Sequence, residues 1–367
     1  MALLKTEAEK LSLPALQAGV IENVVTSDEL FAMVPFKPFN GKSYDYNREN
    51  DLGDADFYDV SDTLSESAAT FTKLSQELKR IIGQVDVDNY LQGQDSDTND
   101  QAAVQISKKS KVVGRKFANK LVTGNTAVNA KEFDGLLKIA TGLAASQQLS
   151  NGVAGAALGY DDLDALIDAV KVGENRAFVM NSRTLRSYIA LQRALGGTTP
   201  ETVSVGGMVF QAYRSRPILK NDWMPIDEDP SGTSRATLSA WVAATVYATG
   251  AKVISTTGNT TLLFEATTGG TSHATTEPTW DTTPGNTTSD GTVTWTTRSA
   301  AHASIVYTAL DEEEGLHGLL SRTHPTVEVE NIGALESKDA TRYRVKWYTA
   351  VVLESGLALA RQAGINN

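Results

Sequence analysis

Between Gly41 and Phe71 the chain reads GKSYDYNRENDLGDADFYDVSDTLSESAATF, with tyrosines and phenylalanines set among polar residues. Alternation of this kind puts apolar side chains on one face of a strand. Asp51 to Gly53 in the middle is turn-like, so the stretch predicts a long two-stranded hairpin. A lone hairpin is marginal in water and requires a partner surface. Residues 1–40 read as an extended arm with one short helical piece, punctuated by Pro14, Pro35 and Pro38. The arm's apolar clusters, Val20-Ile21 and Val24-Val25, suit docking elsewhere.

The period then changes from two to 3.6. In DSDTNDQAAVQISKKSKVVGRKFANKLVTGN, Ala102, Ile106, Val113, Phe117 and Leu121 share one face. Asp97 or Thr98 is a candidate cap for this helix and Gly124 its stop. Two shorter helices follow. YDDLDALIDAVKVG sets Leu163, Leu166, Ile167 and Val170 in register. NSRTLRSYIALQRALGG sets Leu185, Ile189 and Leu195, with Asn181 or Ser182 as cap and Gly196 as stop.

TKLSQELKRIIGQVDVDNYL gives short strand-like segments, and RAFVMN is a candidate buried strand. VGGMVFQAYRSRPILKNDWMPI contributes a strand and a loop, and ASIVYTAL, TVEVENIG and RYRVKWYTAVVL read as strands. GLALARQAGI is expected to be a short closing helix. Helices and strands interleave without a regular βαβ rhythm, so the pattern favours an α+β fold over a doubly wound sheet.

One region differs in composition. From Thr233 to Arg298, 22 of the 66 residues are threonine, three of the chain's five tryptophans occur there, and only three of its 33 lysines and arginines do. Threonine favours a half-buried strand. After the Asp290-Gly291 turn, Val293 and Trp295 point to one face, and Thr292, Thr294 and Thr296 to the other. The expectation is a small all-β module packed around Trp241, Tyr247, Trp280 and Trp295. Pro278 and Pro284 mark loops or edges within it.

At 367 residues the chain exceeds what one core usually organises, so two or more lobes are expected. It has no cysteine, which excludes disulfides, thiolate nucleophiles and cysteine metal sites and fits a reducing cytoplasm. A net charge of −11 argues against general nucleic-acid binding. No apolar run reaches the length of a membrane span, and MALLKTEAEKLSLPAL lacks the apolar core of a secretion signal.

Chemistry-bearing motifs are missing. The four histidines, His273, His302, His317 and His324, show no metal-ligand spacing, and no HExxH, GxSxG, P-loop or GxGxxG occurs. DSDTN matches the first calcium-ligand positions of an EF-hand loop, but Asp100 stands where glycine is needed and Ile106 where glutamate should bind. Helix capping is its reading, and DEEEG at Asp311 to Gly315 reads as a solvated loop. The basic face of the 97–123 helix reads as solvated or salt-bridged. No catalytic residue, cofactor site or metal site is assigned.

The order of these parts resembles the major capsid proteins of tailed bacteriophages, the Hong Kong 97-type fold. The arm leads to a hairpin similar to that family's E-loop, and the 97–123 helix stands where the family has its spine helix, preceded by GQVDVDNYL. EFDGLLKIA (Glu132 to Ala140) resembles the passage into the A-domain, and RAFVMNSRTLRSYIAL with GGMVFQAYRSRPILKND its strands and helix. GLHGLLSR, VEVENIGALESKDATRYRVKWYTAVVL and GLALARQAGI resemble the returning strands and closing segment. The region 232–299 is itself similar to a small β module of phage structural proteins, on Trp241, Tyr247, Gly250, Gly270, Glu277-Pro278, Trp280 and Asp290-Gly291 through Trp295.

The resemblance implies this division: arm 1–40, E-loop 41–71, P-domain with spine helix 72–134, A-domain 135–231 and 300–326, β module 232–299, and P-domain return strands with the C-terminal segment 327–367. It implies a non-enzymatic protein that forms hexamers and pentamers in a closed icosahedral shell, the virion capsid, assembled in the bacterial cytoplasm. The packaged double-stranded DNA would lie inside without sequence-specific binding. Portal and decoration proteins are implied partners. No long charged helix precedes the arm, which implies a separate scaffolding protein or a mature chain.

In that frame Tyr44, Tyr46, Leu52, Phe57 and Tyr58 are the candidate inter-subunit contacts of the E-loop. Trp241, Tyr247, Trp280 and Trp295 form the module's core or stack on a host-surface glycan. Lys37 and Lys42 flank the hairpin, but no motif maps a cross-linking trio, so no cross-link is assigned. Two rival readings are an encapsulin-like nanocompartment shell and a phage surface or tail glycan-binding protein.

Overall fold

The computed structural model describes residues 28–60, 62–94, 100–196, 201–258 and 261–366. The candidate caps Asp97 and Thr98, the DSDTN match and most of the arm lie outside them. Two units emerge among the described residues, one within 34–138 and 311–355, the other within 28–33, 139–310 and 356–366.

The first unit is organised by one 16-residue strand, Lys338–Leu353. Its first part lies between Lys79–Asp88 and Glu328–Leu335, antiparallel to both. Its last residues pair with Leu316–Ser321, which in turn pairs in parallel with Phe36–Phe39. The 23-residue helix Gln101–Thr123 covers one face of this sheet. Asp100 caps it by accepting a 3.0 Å bond from the Ala103 N–H.

Val113, Phe117 and Leu121 of the predicted stripe are buried, while Ala102 and Ile106 are only half-buried. Phe117 is the centre of an aromatic cluster, 4.6 Å from Trp347, 5.6 Å from Phe133 and 5.8 Å from Phe36. The ring of Phe36 lies so close over Gly318 that any Cβ there would collide with it. Glycine is required by that approach.

The hairpin expected at 41–71 spans Ser43–Asp51 and Thr70–Glu77, with Ser43 opposite Glu77 and Asp51 opposite Thr70. Asp51 ends the first strand instead of centring a tight turn. Gly53, at a φ of +83°, opens a loop that returns only at Ala69. The pattern missed this because a polar loop without strand partners still carries scattered aromatics.

The second unit holds an eight-stranded mixed sheet. Its central strands are Leu359–Asn366, His302–Ala309, Arg176–Met180 and Arg216–Lys220, in that order. Beyond these, Met208–Tyr213 and Thr202–Val205 finish one side through a turn at Gly206-Gly207, both glycines at positive φ. Helices Tyr160–Ala169 and Ser182–Ala194 contribute Leu163, Leu166 and Tyr188 to a core with Phe178, Ile305 and Tyr307.

Two expectations are corrected here. The 182–194 helix buries Thr184 and Tyr188, with Leu185 and Ile189 half-buried and Leu195 exposed, so its inner face is rotated from the leucine register. GLALARQAGI is not a helix; Leu359–Asn366 is a strand paired with His302–Ala309 and buried through Ile365. A strand covered on both faces loses the period-2 signal, and its Leu-Ala-Arg-Gln composition then reads as helical. The structure therefore puts the C-terminal strand in the second unit and Leu316–Ser321 in the first.

Residues 240–300 form a four-stranded antiparallel sheet, in the order Lys252–Val253, Leu262–Thr268, Val293–Ser299 and Thr287–Asp290. A separate pair joins Val246–Tyr247 to Gly270–Thr271. Trp241, Phe264, Ala266, Val293 and Trp295 build a core of their own.

Candidate assembly surface

The hairpin's root and its tip have opposite characters. At the root, Tyr44 donates a 2.6 Å hydrogen bond to Glu354 and accepts one of 3.0 Å from Lys37. Lys37 also donates to the Glu312 carbonyl at 3.0 Å and pairs with Glu354 at 3.4 Å. Tyr46 and Arg48 donate to the Leu353 carbonyl at 3.1 and 2.8 Å, and Arg48 to that of Glu354 at 2.9 Å. The carbonyls of Leu353 and Glu354, at the end of the long strand, are thus capped by hairpin side chains.

Burial together with the bond to Glu354 raises the Tyr44 phenol above its ordinary pKa. Lys37 is partly buried, which lowers it, but Tyr44 and Glu354 outweigh this and raise it. His317 lies fully buried, edge-on to the Tyr44 ring at 6.2 Å, with Nε2 3.7 Å from Glu354. Neither ring nitrogen has a partner at full hydrogen-bond geometry among the described residues. Burial pushes this imidazole below its usual pKa, against the pull of Glu354.

Tyr44 and Tyr46 are therefore held by their own chain at the root. Leu52, Phe57 and Tyr58 lie at the tip, where Leu52 is 77% exposed and Phe57 completely so, beside exposed Val60 and Leu64. The Tyr58 hydroxyl lies 2.8 Å from Ser65 Oγ within the same loop. Large apolar side chains displayed together on a thin ribbon mark an interaction site.

In the Thr-rich region, Trp241 and Trp295 are buried and donate their indole N–H groups to one Asp290 oxygen, at 2.7 and 3.0 Å. The other Asp290 oxygen accepts from the His273 N–H at 2.7 Å. Trp280 stacks on Phe264 at 3.8 Å and donates to Glu277 at 2.6 Å, leaving it half-buried, as is Tyr247. Partial burial raises the Glu277 carboxyl, but hydrogen bonds from Thr256 and Trp280 prevail and hold it below the usual range. The indole faces of Trp241 and Trp295 thus serve the core. Sequence reasoning missed Asp290 as the hub, reading it only as part of the Asp290-Gly291 turn.

Where this region leaves and rejoins the larger sheet, Glu228 and His302 exchange two backbone hydrogen bonds of 3.0 Å. The Glu228 side chain is buried, 2.7 Å from Arg361 and bonded to Ser304. Burial pushes its carboxyl up to about 7 against the pull of Arg361. Arg361 also donates to the Gly232 carbonyl at 2.6 Å. Among the described residues no cluster of His, Asp or Glu is arranged to hold a metal, and no helix is long and apolar enough to cross a membrane.

No protein-family model and no curated protein matches the sequence. Solved structures do. The holo-SrpI encapsulin complex from Synechococcus elongatus PCC 7942 matches with a TM-score of 0.61 at 16% identity, over 100% of this chain and 97% of that one. The capsid of an empty GTA particle matches at 0.60 and 14%, over 96% and 95%. A Microbacterium phage Oxtober96 chain matches at 0.55 and 11%, over 99% of each.

This chain has the Hong Kong 97-type fold. Its likeness runs the length of the chain, as the ordered sequence patterns anticipated, and these neighbours are an encapsulin, a capsid and a phage chain. In the vocabulary of this fold, the hairpin is the E-loop and the 101–123 helix the spine helix.

Proposed function

We propose that this chain is the major capsid protein of a tailed bacteriophage, building hexamers and pentamers of a closed icosahedral shell around double-stranded DNA. The observation that carries the reading is the E-loop, rooted by hydrogen bonds on its own unit yet displaying Leu52, Phe57, Val60 and Leu64 to solvent. Its tip has no core of its own, so neighbouring copies complete it. Specific interfaces bury about 1,600 Å² in total, and a shell subunit repeats such contacts around its rim. A closed lattice leaves few free edges.

The Thr-rich region would be a module on the shell's outer face, since its own core and paired entry and exit strands suit an insertion. With Trp241 and Trp295 occupied, glycan contact would fall to its outer strands. A scaffolding protein, a portal and a decoration protein would be partners during assembly in the host cytoplasm.

The encapsulin reading is favoured by the likeness to the SrpI shell. Expression of the chain followed by negative-stain microscopy and gel filtration tests both. Closed particles support a shell, and a monomer at high concentration refutes it. Nuclease-protected DNA in particles from the native host supports the capsid reading, whereas a co-purified enzyme cargo replaces it.

A further inference from the structure

We infer that the arginine face of the helix Ser182–Ala194 is a sequence-independent contact for the phosphate backbone of double-stranded DNA. The inference rests on the capsid reading above and on the outward module. No residue of SRTLRSYIALQRA is acidic. Arg183, Arg186, Ala190 and Arg193 are exposed, and steps of three, four and three residues align them along one side. That line runs for about 15 Å at the rise of an α-helix. The opposite side, with Thr184 and Tyr188, is buried. Arg186 and Arg193 enter no ion pair among the described residues.

In a chain of net charge −11, this line is a local reversal of sign. Guanidinium groups bind phosphate oxygens through paired N–H donors. A shallow groove of about 500 Å³ runs beside them, lined by Arg183, Arg186, Ser187 and Ala190. Its small side chains let a backbone approach. On that side no large apolar anchor of the kind that centres a protein interface stands between the arginines. Leu195, 71% exposed, lies beyond the last turn. At the N-terminal end Asp222 accepts from Ser182 Oγ at 3.1 Å, so the contact is centred on Arg186 and Arg193.

The sheet beneath supplies the direction. Tyr188 packs with Phe178, Tyr307 and Ala360 on one face of the eight-stranded sheet. Val179, Val306 and Arg361 alternate with these in register and point to the other face. There Arg361 is bonded to Glu228 and Gly232, at the root of the Thr-rich module. Helix and module root therefore lie on opposite faces of one sheet. With the module on the shell's outer face, the arginine line faces the interior, where the DNA is packed.

The test uses the full chain. Unassembled wild-type subunit binds a fluorescent DNA duplex, read by anisotropy, with log K falling linearly against log salt by about 0.9 per phosphate contact. R186Q/R193Q reduces that slope by about 2 and weakens binding roughly tenfold at low salt. Both side chains are exposed, and circular dichroism confirms that helix content is kept. An unchanged slope overturns the inference, as does wild-type subunit that binds no duplex. In particles from the native host, a photo-crosslinking residue in place of Ala190 attaches to DNA. Attachment to protein instead, or lost assembly of R186Q/R193Q with its duplex affinity intact, makes this face a protein interface. Either result overturns the inference and leaves the shell reading standing. Particles that protect no DNA remove the capsid reading, and the proposed occupant falls with it whatever the slope.

Discussion

The phenol of Tyr44 donates a 2.6 Å hydrogen bond to the carboxylate of Glu354, joining the first strand of the E-loop to the end of the longest strand in its unit. Residues 310 apart in sequence thereby set where the ribbon leaves the body. Lys37 closes the triangle by bonding both. Tyr44→Phe removes the charge-assisted bond while Lys37 still pairs with Glu354. The expected loss is about 1 kcal/mol, at the low end for such a bond because the site is partly exposed. Hydrogen exchange should speed up at residues 43–48, and unchanged protection there would contradict the root described.

At the other end of the ribbon the expectation is inverted. Leu52→Ser with Phe57→Ser removes largely exposed side chains, so the melting free energy should move by no more than about 0.5 kcal/mol. Particle yield should nevertheless collapse. A variant as assembly-competent as the parent in sedimentation and electron microscopy would show that the tip is not an interface.

Asp290 has a structural job in the Thr-rich region. Asp290→Ala strands two buried indole N–H groups and one backbone N–H, each costing about 1–3 kcal/mol when unsatisfied. A loss of about 3 kcal/mol or more in that region's stability is expected, with tryptophan fluorescence shifted to the red. Asp290→Asn keeps an acceptor and should fall between the two. Equal stability of all three forms would remove the hub assigned here.

His317 predicts a pH dependence. Its folded pKa lies below the unfolded value near 6.5, because burial disfavours the imidazolium more than Glu354 favours it. Lys37, also facing it, opposes the proton, while Glu312 favours it. The unfolded state therefore takes up the proton first as pH falls. Stability from this site is complete above about pH 6.5 and is lost below it, towards the folded pKa. His317→Gln should flatten that part of the denaturation profile. Identical acid limbs in wild type and variant would exclude His317 as the cause.

The Glu228–Arg361 pair gives a further expectation. Glu228→Ala leaves a guanidinium buried without its partner, which typically costs about 3–5 kcal/mol. Chemical denaturation of the isolated subunit measures it, and a cost below about 1 kcal/mol would mean that water or Ser304 compensates.

Several elements were determined by local sequence. The spine helix follows from its 3.6 period, with Val113, Phe117 and Leu121 inward, and Arg176–Met180 from a short apolar run. The β character of residues 240–300 follows from threonine and tryptophan at alternating positions, because side chains of a strand sort by parity whatever they pack against.

Tertiary structure decided the rest. Leu359–Asn366 became a strand only because the adjoining edge of His302–Ala309 was open to it, a partnership between segments that no local period records. The division of labour among the tyrosines and aromatics of the hairpin was likewise settled at a distance. Tyr44 and Tyr46 found Leu353 and Glu354 within reach, while Leu52 and Phe57 stayed exposed. Alternation states which side chains share a face, but hydrogen bonds between residues 307 and 310 positions apart determine which end of that face is covered.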